Sequence, residues 1–197
     1  MTDSSASEPL TEQKILAAAE RVLRRYGPTK ATVVDVAREL GVSHASVYRH
    51  FSSKAELRDA VAADWLAEIS GPLEKIAEGR GPARGRLRRW LDQLVEAKQG
   101  RARTDPELFA TYVEIAGNSR AVIDDHVNEL VGQLERIIRD GVDEGVFSSD
   151  DVPGTARAVF DATSRFHNPA NAAAWAAPGI NRDYDRVREL VVGGIER

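Results

Sequence analysis

A chain of 197 residues with 42% hydrophobic and 29% charged residues holds enough apolar material for one large or two small globular domains, which excludes a disordered chain. Zero cysteines exclude disulfides, thiolate nucleophiles and Cys-ligated zinc, and no apolar run approaches the roughly 20 residues of a membrane span, so no membrane partner is expected. The net charge of −4 would argue against nucleic acid if it were spread evenly, but residues 21–58 hold eight Lys/Arg against three Asp/Glu, a local +5 that leaves −9 elsewhere.

Residues 1–10 (M-T-D-S-S-A-S-E-P-L) read as a short disordered arm, polar and acidic rather than a signal peptide, which fits a cytoplasmic protein. From Thr11 to Tyr26, Ile15, Leu16, Ala19, Val22 and Leu23 fall on one helical face, and Gly27-Pro28 stops the helix. The run T-V-V-D-V-A-R-E-L-G-V-S-H-A-S-V-Y-R-H-F, Thr32 to Phe51, spells two short helices joined by a tight turn. Val33, Val36, Ala37 and Leu40 recur at helical spacing, Gly41 stands where a left-handed C-cap is wanted, and Val42 packs the turn. Ser43 caps the second helix, Ala45 and Val47 are expected to face its partner, and His44, Ser46, Tyr48, Arg49 and His50 supply polar tips. Slim Ser43, Ala45 and Ser46 at its leading end would let that helix enter a major groove, where longer side chains reach phosphate oxygens or base edges. The bland alternative is a helical hairpin inside an all-helical core.

Ser53-Lys54-Ala55-Glu56 is a capping box in which Ser53 receives the N–H of Glu56 while Glu56 reaches back, so a helix begins at Lys54. Its positive end suits an anion, and Lys54 is either a phosphate contact or an ordinary solvated lysine. This connector runs to about Ile69; Gly71-Pro72 and Gly79-Arg80-Gly81-Pro82 mark breaks, with a domain boundary inside the connector region. Leu87, Trp90, Leu91, Leu94 and Val95 stripe the next helix, and Asp105-Pro106 opens another carrying Leu108, Phe109, Tyr112, Val113 and Ala116. The longest pattern runs from Ser119 or Arg120 to about Glu144 and reads as a central packing helix. Asp151 to about His167 and Arg182 to Ile195 are two final helices, separated by an irregular loop from Asn168-Pro169. The expected fold is all-α: an N-terminal helix-turn-helix head over 11–58, and a larger helical body over 59–197.

The segment from about Glu12 to Trp65, with its V-Y-R-H-F-S-S-K-A-E-L signature, resembles the DNA-binding region of the tetracycline-repressor (TetR) family of bacterial transcription regulators. The resemblance implies that Tyr48, His50 and Lys54 grip the DNA backbone and that Thr32 caps the second helix. Arg49, at a position that varies in the family, is left between a guanine edge, a phosphate and solvent. Some relatives lay a basic N-terminal arm in the minor groove; Asp3 and Glu8 do not suit that contact. The family's last two long helices form a four-helix bundle with those of a partner, which makes Ala156, Val159, Phe160 and Thr163, with Val187, Leu190, Val191, Gly194 and Ile195, the homodimer candidates. Periodicity alone does not separate a dimer seam from a monomer core.

The resemblance also implies a small-molecule pocket in the body, whose lining varies between members. Polar or aromatic residues on apolar stripes are its candidates: Trp90, Phe109, Tyr112, His126, Phe166, His167 and Trp175, a mix that suits a largely apolar or aromatic effector. Asp124-Asp125-His126 does not make a metal site, because adjacent helix positions point apart and no second cluster completes a ligand set. The arginines at 84, 86, 88, 89, 101 and 103 read as a solvated helix face rather than a second nucleic-acid surface. With no phosphate loop, no metal constellation and no motif tying Ser to His, no enzyme and no cofactor are expected. The expectation is therefore a sequence-specific regulator, most simply a repressor, that binds palindromic double-stranded DNA as a homodimer and leaves it for an effector. The rival is a nonspecific DNA-organising helical protein.

Overall fold

The computed structural model describes residues 9–197, so the arm expected over residues 1–10 lies, except for Pro9 and Leu10, outside the described residues. Helix α1 (Glu12–Lys30) starts where the Thr11 hydroxyl accepts the Lys14 N–H at 3.3 Å, and it kinks at Gly27, where φ is 73°. Helix α2 (Val33–Leu40) is fixed at both ends. Thr32 and Asp35 exchange side-chain and backbone hydrogen bonds as a capping box, and Gly41, at φ 66°, lets its own N–H turn back onto the Ala37 and Arg38 carbonyls. The short α3 (His44–Tyr48) follows, with Ser43 as its N-cap. Val47 is fully buried, but Ala45 is exposed rather than facing the partner helix as expected. Two positions apart on a helix differ by about 200° of rotation, so Ala45 and Val47 cannot share a face.

Helix α4 (Lys54–Ala77) corrects the expected break at Gly71-Pro72: it runs straight through. Pro72 forfeits one intrahelical hydrogen bond. Against that, Leu66, Ile69, Leu73 and Ala77 all bury on the side that lies along α5 (Ala83–Thr104) and α7 (Arg120–Asp143), and the break falls at the second candidate, residues 78–82. Ser53 caps α4 as expected, but the Glu56 carboxylate reaches one residue further back than a standard box, accepting from the Ser52 N–H at 2.6 Å and from the Ser52 hydroxyl.

Helix α6 (Pro106–Gly117) packs against α1, α4, α5 and α7. The helix expected from Asp151 to His167 is two pieces, α8 (Val152–Ala162) and α9 (Ser164–His167). Thr163 makes the joint: its hydroxyl donates back to the carbonyls of Val159 and Phe160, both at 3.1 Å, and so competes with the backbone for continuation. A 3₁₀ segment (Pro169–Ala174) leads to α10 (Ile180–Ile195). Among the described residues the only strand-like pairing is an isolated bridge between Phe147 and Glu196.

One continuous apolar core runs from Ile15 in α1 to Val192 in α10, and a small satellite of Val95, Phe166, Ile180 and Tyr184 packs beside it. Gln133, fully buried, accepts from Trp90 Nε1 at 2.9 Å and donates to the Ser70 carbonyl at 3.2 Å, joining α4, α5 and α7 by a satisfied polar link. Gly141 admits the Phe147 ring so closely that a Cβ there would sit 2.0 Å from a ring carbon. The expected solvated arginine face is mostly paired: Arg88 with Glu189, Arg101 with Glu68, Arg103 with Glu96. Arg86 is not solvated at all, being buried against Asp140 at 2.7 Å and the Ala77 carbonyl at 2.9 Å.

Candidate functional site

Two places in the molecule collect unspent polar chemistry. The first is the exposed side of α3 and the start of α4. Ser43 accepts the Ser46 N–H at 3.1 Å, the two serine hydroxyls lie 2.9 Å apart, and Arg49 donates to Ser46 Oγ at 3.2 Å, so the tip is preorganised. His44 and Tyr48 pack edge to face at 6.4 Å while Tyr48 stays 43% exposed. His50 is half-buried and Lys54 is exposed at the N-terminus of α4. The exposed Thr32 hydroxyl donates to the Asp35 carboxylate and accepts the Asp35 N–H, which fixes the first turn of α2. A slim, acid-free tip with Arg49 and Lys54 beside it is shaped for a polyanion groove.

The second is a cavity of about 300 Å³ in the body, walled by α4, α5, α6, α7, α8 and α9. His126 and His167 line it, and so does Phe160. The other aromatic candidates lie elsewhere. Trp90 is behind the wall on Gln133; Tyr112 stacks on Trp65 with ring centroids 4.4 Å apart; Phe109 packs on Trp65 and Trp175; the Trp175 N–H is spent on the Arg165 carbonyl; Phe166 sits in the satellite cluster against Tyr184.

Among the lining residues that were not singled out from the sequence are Trp65 and Lys98. The signal for Lys98 was present: it continues the α5 stripe four residues after Leu94 and seven after Leu91, a lysine in an apolar register. Lys98 is 5% exposed, and its ammonium lies 3.4 Å from His126 Nε2 and 5.9 Å from the centre of the Trp65 ring. Burial first, then the nearby Arg101, pulls the Lys98 pKa down to about 8. Burial likewise holds His126 neutral, down to about 3, with the Lys98 and His167 charges acting in the same sense. His167 falls to about 4 for the same first cause, opposed by its hydrogen bond to the Phe160 carbonyl.

The cavity and the head are mechanically adjacent. Val113, Ala116 and Gly117 of α6 line the cavity. From the same helix and its end, Glu114 meets Thr29 at 3.5 Å, the Asn118 carbonyl accepts from Arg58 at 3.3 Å, and Ser119 donates to Asp59. Helix α4 lines the cavity with Trp65 and Leu66 and begins at Lys54.

Of the helices expected to pair two subunits, α8 turns Ala156, Val159, Phe160 and Thr163 into its own protomer. Its exposed positions are Gly154, Ala158 and Ala162, spaced by four, with Pro153 and the Arg157–Asp161 pair beside them, and on α10 Leu190 is 75% exposed and Gly194 is exposed, with Val187, Val191 and Ile195 half-buried.

A helix-turn-helix head joined through one long helix to an all-helical body with a cavity defines a DNA-binding regulator. Residues 15–61 match the family model for bacterial regulatory proteins of the tetR family, and residues 83–188 match that for the tetracyclin repressor-like C-terminal domain. The chain belongs to the TetR family, whose members are DNA-binding transcriptional regulators and not enzymes. It is 29% identical over 139 residues to YfiR of Bacillus subtilis, an uncharacterized HTH-type transcriptional regulator, covering 69% of this chain and 67% of that relative. In fold it is similar to SmeT, the repressor of the Stenotrophomonas maltophilia multidrug efflux pump SmeDEF, with TM-score 0.68, 18% identity and coverage of 95% and 91%. It is similar too to FadR from Bacillus subtilis in complex with stearoyl-CoA, with TM-score 0.62, 17% identity and coverage of 94% and 100%. No helix among the described residues is long and apolar enough to cross a membrane.

Proposed function

We propose that this regulator is a cytoplasmic homodimeric repressor that occupies an inverted-repeat operator and leaves it when a small molecule fills the body cavity. The observation that carries this reading is that α6 and α4 each touch both the cavity and the head. A ligand that wedges α6 outward shifts Glu114, Asn118 and Ser119 against α1 and α4, and with them the aim of α3. For release, the ligand must bind the DNA-incompetent conformer more tightly; equal affinity for both conformers moves nothing.

In this reading the head is residues 11–58 and the body 59–197. Tyr48, His50 and Lys54 hold phosphates, Arg49 and the tip formed by Ser43, His44 and Ser46 meet the groove, and Thr32 keeps α2 in register. Two protomers join through the outward faces of α8 and α10. The small residues at 154, 158 and 162 allow close helix approach, and Leu190 supplies an apolar anchor. A second head roughly doubles the contact free energy on a palindrome.

The test is selection of bound duplexes from a random pool by the purified protein at near-physiological salt. An enriched inverted repeat is the expected result. Binding without enrichment would replace this reading with that of a nonspecific DNA organiser.

A further inference from the structure

We infer that the cavity is an anion site, taking a small organic molecule with an apolar body and one carboxylate, and that Lys98 and His126 donate the hydrogen bonds that hold the carboxylate. This rests on the effector reading and adds the ligand's chemical class to it.

The argument starts from what Lys98 lacks. An ammonium has three donors and no acceptor. Among the described residues no carboxylate pairs with Lys98, and none of the residues lining the cavity is acidic. Two acids on neighbouring elements are committed elsewhere: Glu68 pairs with Arg101 at 2.9 Å, and Asp161 pairs with Arg157 at 2.9 Å; Asp125 and Glu129 share a second pocket with His126 but do not line this cavity. Arg101 adds a second positive charge beside Lys98. A buried, unpaired ammonium is costly, and a methionine or leucine at this stripe position would fill the same space without that cost.

His126 doubles the demand. Because the ammonium can only donate, the His126 Nε2 atom 3.4 Å away accepts, and the neutral ring therefore carries its proton on Nδ1. That Nδ1 is buried and has no protein partner. The His167 Nε2 atom is already engaged, by the Phe160 carbonyl at 3.2 Å and the Thr163 hydroxyl at 3.3 Å. The cavity is thus lined by an ammonium with two donors to spare and by a histidine whose Nδ1–H has no protein acceptor, among the apolar side chains of Leu66, Val113, Ile123, Val127, Leu130 and Phe160, with His167 and Asn168 as its other polar residues. A neutral ligand leaves the charge desolvated and a cation is repelled. A carboxylate turns both deficits into charge-assisted hydrogen bonds, and the apolar walls leave room for only one such headgroup on the ligand.

The experiment is isothermal titration calorimetry on the full chain near neutral pH with octanoate, decanoate and 1-naphthoate, each against its primary amide, for the wild type and for Lys98→Met. At least one acid is expected to bind about tenfold or more tighter than its amide, as one charge-assisted hydrogen bond provides. In Lys98→Met that preference is expected to vanish while the amide still binds within a few-fold of wild type, which shows the chamber to be intact. Amides binding as well as acids, a preference that survives in Lys98→Met, or no acid binding to the wild type would each overturn the inference. The effector reading fails by a different result: a ligand that fills the cavity and leaves operator affinity unchanged.

Discussion

Replacing Lys98 by methionine should make this protein more stable near pH 7, the reverse of what removing a buried hydrogen-bonded side chain usually does. The ammonium is buried without a counter-ion, and its pKa falls from the ordinary 10.5 to about 8. At ~1.4 kcal/mol per pH unit that difference corresponds to about 3 kcal/mol of lost folding stability. A lysine whose folded pKa is depressed binds fewer protons folded than unfolded between the two values, so stability rises with pH across the window from about 8 to 10.5. The penalty is full below the window and gone above it. Methionine keeps an unbranched stem of similar reach and forfeits the His126 hydrogen bond and the contact with the Trp65 ring, together about 1 kcal/mol. The net expectation is a gain of about 2 kcal/mol near pH 7 that shrinks to zero or below by about pH 10.5. Urea unfolding of both proteins at several pH values and one protomer concentration measures it, the fixed concentration being required if the protein dimerises. A variant less stable than wild type near pH 7, or a difference that does not change with pH, would refute the claim that this charge is unpaired.

The two buried histidines set the acid limb in the same way. His126 at about 3 and His167 at about 4 are both depressed below 6.5, so their stability contribution is present above 6.5 and lost as pH falls toward 4, by about 1.4 kcal/mol per pH unit for each ring. The groups that shift them are Lys98, with His167 acting on His126, and Asp161 and the Phe160 carbonyl favour a proton on His167 alone; Asp125 and Glu129 line a second pocket with His126. His126→Phe should flatten that limb in acid unfolding followed by circular dichroism; an unchanged slope would count against it. Lys54→Ala should weaken DNA binding for all sequences alike and lower the salt slope by about one, while Tyr48→Ala should weaken operator binding and leave the dimer intact on gel filtration. Dimer loss in Tyr48→Ala would mean that the ring is chiefly structural. Leu190→Asp should leave the protomer folded, since the side chain is 75% exposed, yet raise the dimer dissociation constant by about a hundredfold or more in sedimentation velocity, because each copy forfeits a buried leucine and buries a charge. An unchanged dimer would place the interface elsewhere.

The head was legible in the sequence because its signals are local. Thr32 with Asp35, Gly41, Ser43 and Ser53 are short-range capping chemistry, and each does in the structure what its type and position require. The body was legible only as stripes. Gly71-Pro72 carries the same local breaking signal as Gly79 to Pro82, and what separates them is the tertiary burial of Ile69 and Leu73, which no window of sequence contains. The cavity was the least legible. Whether an aromatic on a stripe, such as Trp90 or Phe109, lines a void or plugs the core depends on what faces it from other helices, and here Gln133 and Trp175 do. Lys98 was detectable by type, as a charge in an apolar register, and its meaning came only with the absence of an acid across from it.

The central claim, that two heads of one dimer read two half-sites, is tested most directly by fluorescence anisotropy on a duplex recovered from the random pool, compared with the same duplex after one half-site is scrambled. The account predicts two protomers per intact duplex and a loss of roughly a hundredfold or more on scrambling, with affinity falling steeply as salt rises. Equal affinity for the intact and scrambled duplexes, or a single protomer bound at saturation, would contradict it.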